Sequence, residues 1–297
     1  MDIKGTGVAL VTPFNSDFSI DYGALGRLVD YLIEGRVEYL VVLGTTGEAV
    51  TLSDAERHDV ACFVARRTAG RVPLVLGMSS NATDALCHSL GGADVEGYSA
   101  ILSVVPFYNR PSQEGIYRHF KAVAEASPLP VILYNVPSRT GANMEASTTL
   151  RLAEEFCGKV IGVKEASGRI GQIREIIERK PEGFRVVSGD DALCLPLAAM
   201  GAEGVISVIG NALPASFSEM TRQAVGHNFD KAAVIDRPMQ PLYRDIFLEG
   251  NPSGIKGLLS IMGIAGDTLR LPLVPVSQAT RDLMATHLSE LPSRLRQ

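Results

Sequence analysis

Lys164 ends a short apolar run, Val160-Ile161-Gly162-Val163-Lys164-Glu165, and the loop Ala166-Ser167-Gly168 follows at once. That order describes a buried parallel strand delivering one amine to a cleft. An amine attacks a carbonyl only when neutral. An exposed lysine titrates near ~10.4, so a nucleophilic one needs an apolar seat that penalises its charged form. On pattern alone the plainer reading is a strand-end lysine that lays its stem along the surface and keeps its charge in water. What the other strands lead into decides between the two.

Leu43 leads into Gly44-Thr45-Thr46-Gly47-Glu48, and Val105 into Pro106-Phe107-Tyr108-Asn109-Arg110-Pro111-Ser112. Tyr134 opens Asn135-Val136-Pro137-Ser138-Arg139-Thr140-Gly141, and Val187 precedes Ser188-Gly189-Asp190-Asp191. These groups suit addition of an amine to a small 2-oxo acid. Thr45 and Thr46 offer backbone N–H and hydroxyl donors to a carboxylate, turning the keto carbon towards Lys164. Tyr134 and Tyr108 can pass protons through Thr45 while the adduct loses water. Arg139 presents a planar fork for a second carboxylate. Singly, each has a plainer reading: the threonines can cap a turn, the tyrosines can pack their rings, Arg139 can pair on the surface, and Asp190 and Asp191 can start a helix.

Eight candidate strands must position these loops. They are Gly7–Val11, Tyr39–Leu43, Pro73–Gly77, Ala100–Val105, Val131–Tyr134, the Lys164 strand, Phe184–Val187 and Gly204–Val208. Helical stretches separate them, such as Leu25, Leu28, Val29, Leu32 and Ile33 on one face, ended by Gly35, and a capping box at Ser53-Asp54-Ala55-Glu56. The pattern is α/β, and a (β/α)8 TIM barrel with a C-terminal helical extension is the economical reading. The barrel is expected over 1–225 and the extension over 226–297, with helices around Asp230–Phe247, Pro252–Met262 and Gln278–Leu288. A doubly wound sheet is less apt, because Thr12-Pro13-Phe14-Asn15 is no dinucleotide fingerprint.

The 297 residues are 46% apolar and 21% charged, with a formal net charge of −5, an ordinary globular composition without the basic patch of a nucleic-acid partner. No apolar run approaches the ~18 residues of a membrane helix, the first residues lack a signal-peptide pattern, and a cytoplasmic protein is expected. Cys62, Cys87, Cys157 and Cys194 are scattered and read as reduced thiols. No metal-binding motif is evident, so chemistry without metal or organic cofactor is expected.

Five ordered motifs, Gly44–Glu48, Pro106–Phe120, Tyr134–Gly141, Ile161–Ala166 and Ser188–Asp191, together resemble the dihydrodipicolinate synthase branch of the pyruvate-dependent lyase and aldolase family. The similarity runs from Gly5 to about Val276. It implies that Lys164 forms the Schiff base with pyruvate, that Tyr134, Thr45 and Tyr108 form a proton relay, and that Tyr108 is shared across a tight dimer. Thr46, Gly189 and Ile206 would hold the pyruvate end and Arg139 the carboxylate of L-aspartate 4-semialdehyde. The assembly implied is a homotetramer, a dimer of dimers. Sugar-acid aldolases and N-acetylneuraminate lyases of the same family are the alternative, and Arg139 argues against them, since a polyol tail needs no carboxylate fork. A non-catalytic keto-acid-binding regulator would not need a relay. A metal- or phosphate-dependent barrel isomerase would show ligand clusters or a phosphate loop after the last strands. Where lysine-inhibited relatives carry a polar allosteric cleft, this sequence has Ala49, Val50, Asp54, Arg57 and Phe107, although Asn81 matches, so lysine feedback is not expected.

Overall fold

Each of the eight apolar runs forms a strand in the computed structural model, which describes residues 2–296. The strands are β1 (Gly5–Ala9), β2 (Tyr39–Val42), β3 (Leu74–Gly77), β4 (Ala100–Val104), β5 (Val131–Asn135), β6 (Val160–Glu165), β7 (Arg185–Ser188) and β8 (Gly204–Ser207). All pair in parallel in sequence order, and β8 closes on β1. This is the (β/α)8 barrel that the alternation predicts. Met1 and Gln297, the outer limits of the two expected divisions, lie outside the described residues.

Two hydrophobic layers follow from the two-residue period of the strands. Tyr39, Val41, Ile132, Tyr134, Val187 and Ile206 fill the barrel, while Leu40, Val42, Val131, Leu133 and Val163 face the surrounding helices. The helix Tyr22–Glu34 buries Leu25, Leu28, Val29 and Leu32 in that outer layer. The next helix, Asp54–Thr68, starts on the capping box: Glu56 N–H donates to Ser53 Oγ, and the Glu56 carboxylate accepts from Ser53 N–H.

One irregularity decides the chemistry. Val131 pairs with Val160, but Ile132 pairs with Gly162, so β6 carries one extra residue. A one-residue insertion moves every later side chain to the opposite face. Val160 points to the helices, and in a regular strand Lys164, four positions on, would share its face. The bulge turns Lys164 inward, beside its register partner Tyr134. Gly162 permits this, since a Cβ there would lie 2.6 Å from the Arg185 carbonyl and 2.7 Å from Ile3 Cδ1 inside the barrel.

Beyond the barrel, the helices Phe229–Asp245, Ser253–Ile261 and Gln278–Glu290 lie close to the positions read from sequence. Among the described residues no helix is long and apolar enough to cross a membrane.

Gly162→Ala is expected to destabilise the fold by about 1–3 kcal/mol, the usual cost of overpacking, and to disturb the inward aim of Lys164. Urea unfolding of the variant tests this, and unchanged stability would show that the strand absorbs the methyl group.

Candidate active site

The strand ends converge on a cavity of about 720 Å³ whose lining includes Thr45, Thr46, Tyr134, Arg139 and Lys164. Lys164 is 5% exposed. Its Nζ lies 4.4 Å from the centroid of the Tyr134 ring, so an aromatic face takes the place of water. Burial pulls the ammonium down to about 8; the Asp191 carboxylate opposes that shift and the Arg139 guanidinium reinforces it. At pH 7 about a tenth of the amine is therefore neutral, against well under a thousandth for an exposed lysine, and that fraction is the nucleophile.

Tyr134 is buried, and burial raises its phenol, with the Arg139 charge and the Thr45 side chain acting the other way. The phenol stays protonated and can donate to a leaving hydroxyl. Gly189 closes the other side of the lysine: a Cβ there would stand 3.1 Å from Lys164 Cε and 2.6 Å from Ala166 Cβ, so only glycine leaves the stem its place. Ile206 is fully buried inside the barrel, in one cluster with Tyr134 and Val187.

Thr45 and Thr46 stand on a one-turn 3-10 helix, Thr45–Gly47, which ends on Glu48 in the left-handed region at φ 54°. A non-glycine residue there is uncommon, and buried partners hold it. The Glu48 carboxylate is fully buried and ion-paired with Lys256, also fully buried. Lys256 donates in addition to the Thr268 carbonyl at 3.0 Å and lies 4.2 Å from the Phe14 ring centroid. The Thr12 hydroxyl donates to the Gly47 carbonyl at 2.7 Å, tying the turn to the loop that follows β1.

The sequence assigns no role to Asn251, yet it joins two of the candidate residues. Its Nδ2 donates to Thr46 Oγ1 at 2.9 Å, and its carbonyl accepts from Arg139 Nη2 at 3.1 Å. Glu165 was also missed. Pointing away from Lys164, its carboxylate accepts from Asn135 Nδ2 at 3.1 Å and from Ser167 N–H at 2.9 Å, locking the ends of β5 and β6 together. A glutamate at the end of an apolar strand was the available signal, because a buried carboxylate needs such partners. Asn251 gave none, since its role depends on a contact with a loop some 205 residues away.

One expectation resolves differently. Asp191 does not open a helix; the next one starts at Cys194. Its buried carboxylate instead accepts from Ile209 N–H at 2.8 Å and Val208 N–H at 3.1 Å, bracing the chain after β8, and burial pushes it up to about 6. Tyr108, in a loop with positive φ at Tyr108 and Arg110, is 88% exposed and does not line the cavity of its own chain, whereas its neighbour Phe107 does.

A closed parallel barrel with a desolvated lysine beside a buried phenol at the C-terminal strand ends defines an enzyme of the amine-nucleophile class. The model of the Dihydrodipicolinate synthetase family matches residues 2–291, and the chain belongs to that family. It is 51% identical over 291 residues to a 4-hydroxy-tetrahydrodipicolinate synthase of Parabacteroides distasonis, covering 98% of both chains. The crystal structure of dihydrodipicolinate synthase from Aquifex aeolicus superposes with a TM-score of 0.93 at 37% identity, covering 99% of each chain. So does that of the chloride-inhibited Acinetobacter baumannii enzyme complexed with pyruvate, with a TM-score of 0.93 at 37% identity over 97% of this chain and 98% of that one.

Burying the Lys164 ammonium destabilises the folded chain at neutral pH. Below about 8 the amine is charged in both folded and unfolded chains, and the folded state bears the full desolvation cost; above about 10.5 it is neutral in both and the cost vanishes. Lys164→Met is therefore expected to stabilise the protein at pH 7 by up to about 3 kcal/mol, with the gain shrinking as pH rises from 8 towards 10.5. Denaturant titrations at pH 7 and pH 10 measure it, and a pH-independent difference would contradict the assignment.

Proposed function

We infer that the chain is a 4-hydroxy-tetrahydrodipicolinate synthase, a lyase of lysine biosynthesis that condenses pyruvate with L-aspartate 4-semialdehyde. The observation that carries the reading is the buried Lys164 amine, its ammonium pulled down to about 8 by burial, in one cavity with Tyr134 and the Arg139 guanidinium. Neutral Nζ adds to C2 of pyruvate, and the resulting hydroxyl leaves as water on taking a proton from the Tyr134 phenol. The protonated imine withdraws electrons from C3, which loses a proton to give the enamine. That carbon attacks the aldehyde carbon of the second substrate, whose oxygen takes up a proton. The substrate's own amine then adds to C2, closing the ring and expelling Lys164 as the free amine.

In this reading Thr46 and the space beside Gly189 hold the pyruvate carboxylate, with Ile206 as the apolar floor. Arg139, steadied by the Asn251 carbonyl, takes the carboxylate of the semialdehyde. Thr45 links Tyr134 to Tyr108 of a second copy, in a tight dimer within a homotetramer; the exposed Tyr108 ring, which does not line its own chain's cavity, supports that placement. The substrates are soluble metabolites and the reaction is assigned to the cytoplasm. No metal or organic cofactor takes part in these steps.

Borohydride reduction in the presence of pyruvate is expected to leave a stable adduct on the peptide containing Lys164, with a capture rate that rises with pH through about 8. Lys164→Ala should abolish the adduct; an adduct that persists in this variant would remove the mechanism. Tyr134→Phe keeps the aromatic seat but loses the proton, and turnover should fall about 10²-fold or more. Arg139→Ala is expected to lower kcat/KM for the semialdehyde by about 10–100-fold while pyruvate capture is largely kept. Asn251→Ala should raise KM for the semialdehyde more than it lowers kcat, and steady-state kinetics separate the two.

A further inference from the structure

On the helix Asp54–Thr68, His58 and Cys62 are four residues apart and so lie on one face. The loop after the helix Thr83–Gly91 brings Asp94 against that face. Cys62 Sγ stands 3.6 Å from His58 Nε2 and 3.8 Å from Asp94 Oδ2, and one ligand atom from each residue falls within 4.8 Å of the others. Zinc bonds of about 2.0–2.3 Å in tetrahedral geometry place neighbouring ligand atoms roughly 3.3–3.8 Å apart. The two distances from Cys62 already match that spacing, and the His58 and Asp94 ligand atoms lie within 4.8 Å of each other.

The loop is built to hold Asp94 in place. Tyr98, on its far side, donates its hydroxyl to the Ala61 carbonyl of the helix at 3.0 Å. Gly97, at φ 81°, lets the chain approach so closely that a Cβ would meet Ala65 Cβ at 3.2 Å. Asp94 Oδ1 is occupied by Glu96 N–H at 3.1 Å, which leaves Oδ2 turned to Cys62. None of the three residues belongs to the lysine chemistry. His58 and Asp94 nevertheless line the outer end of the cavity that has Lys164 at its inner end.

We propose that His58, Cys62 and Asp94 bind one divalent d-block ion of the zinc type, with the fourth position open to the cavity. A thiolate and an imidazole select such an ion over magnesium or calcium, which prefer all-oxygen shells. The bound ion clips the Asp94 loop to the helix that follows the threonine turn, and so stiffens the cavity's outer wall.

Cobalt(II) reports the site directly. The metal-free, untagged full-length protein, titrated with Co²⁺, is expected to bind one ion per chain with a thiolate-to-cobalt charge-transfer band and the strong visible bands of tetrahedral coordination. Zn²⁺ should displace it and Mg²⁺ should not. Cys62→Ser should lose the charge-transfer band and bind at least tenfold more weakly, with lyase activity in the absence of metal unchanged as evidence of folding. Asp94→Asn should keep the band and weaken binding, and it provides the comparison if the serine variant fails to fold. A wild-type protein without the band, or one whose titration Cys62→Ser and Asp94→Asn both leave unaltered, would overturn the site.

Discussion

Removing the Lys164 ammonium from water is the constraint on which the rest of the structure depends. An amine at the mouth of a barrel is useful only if its charged form is penalised, and the penalty must be borne without the partner that would cancel it. Asp191 is close enough to oppose the shift, yet its carboxylate is turned to the amides of Val208 and Ile209, and burial still dominates the lysine. The Tyr134 ring covers the amine, and the missing side chain at Gly189 leaves room for its stem. The site therefore carries a cost in stability that the surrounding core offsets.

The chain after the barrel is part of the catalytic end. Lys256 enters the interior to meet Glu48, Asn251 bridges Thr46 and Arg139, and Arg270 grips the Glu56 carboxylate and the Phe18 and Thr51 carbonyls. The Arg270 guanidinium holds that carboxyl down at about 2, in agreement with a strong ion pair. The turn bearing the two threonines is thus clamped by the chain that follows the barrel. A left-handed Glu48 is tolerable because a buried charge pair fixes it, and separating Glu48 from Lys256 would leave an unpaired charge in the interior.

Both strand periodicity and the identity of the reactive groups were legible from the residues. Apolar runs at regular intervals imply parallel strands under helices, because burial patterns are local; a lysine ending such a run identifies the amine but leaves its desolvation to the tertiary structure. The capping box at Ser53 and the positions of the three C-terminal helices are local in the same sense. Asp191 was misread for the converse reason: an aspartate after a strand commonly caps the next helix, and here distant backbone amides took the carboxylate first.

The sequence by itself determined the alternation, the class of chemistry and which side chains could perform it, since those depend on residue type and spacing along one segment. Tertiary structure decided which way Lys164 faces. By strand parity from Val160 it would point to the helices, and only the extra residue in the pairing of β6 with β5, admitted by Gly162, turns it into the cavity. It also decided that Asn251, Lys256 and Arg270 belong to the site, because they meet the threonine turn across about two hundred residues of chain. Register and closure arise from contacts between strands, so they emerge only once the barrel has formed.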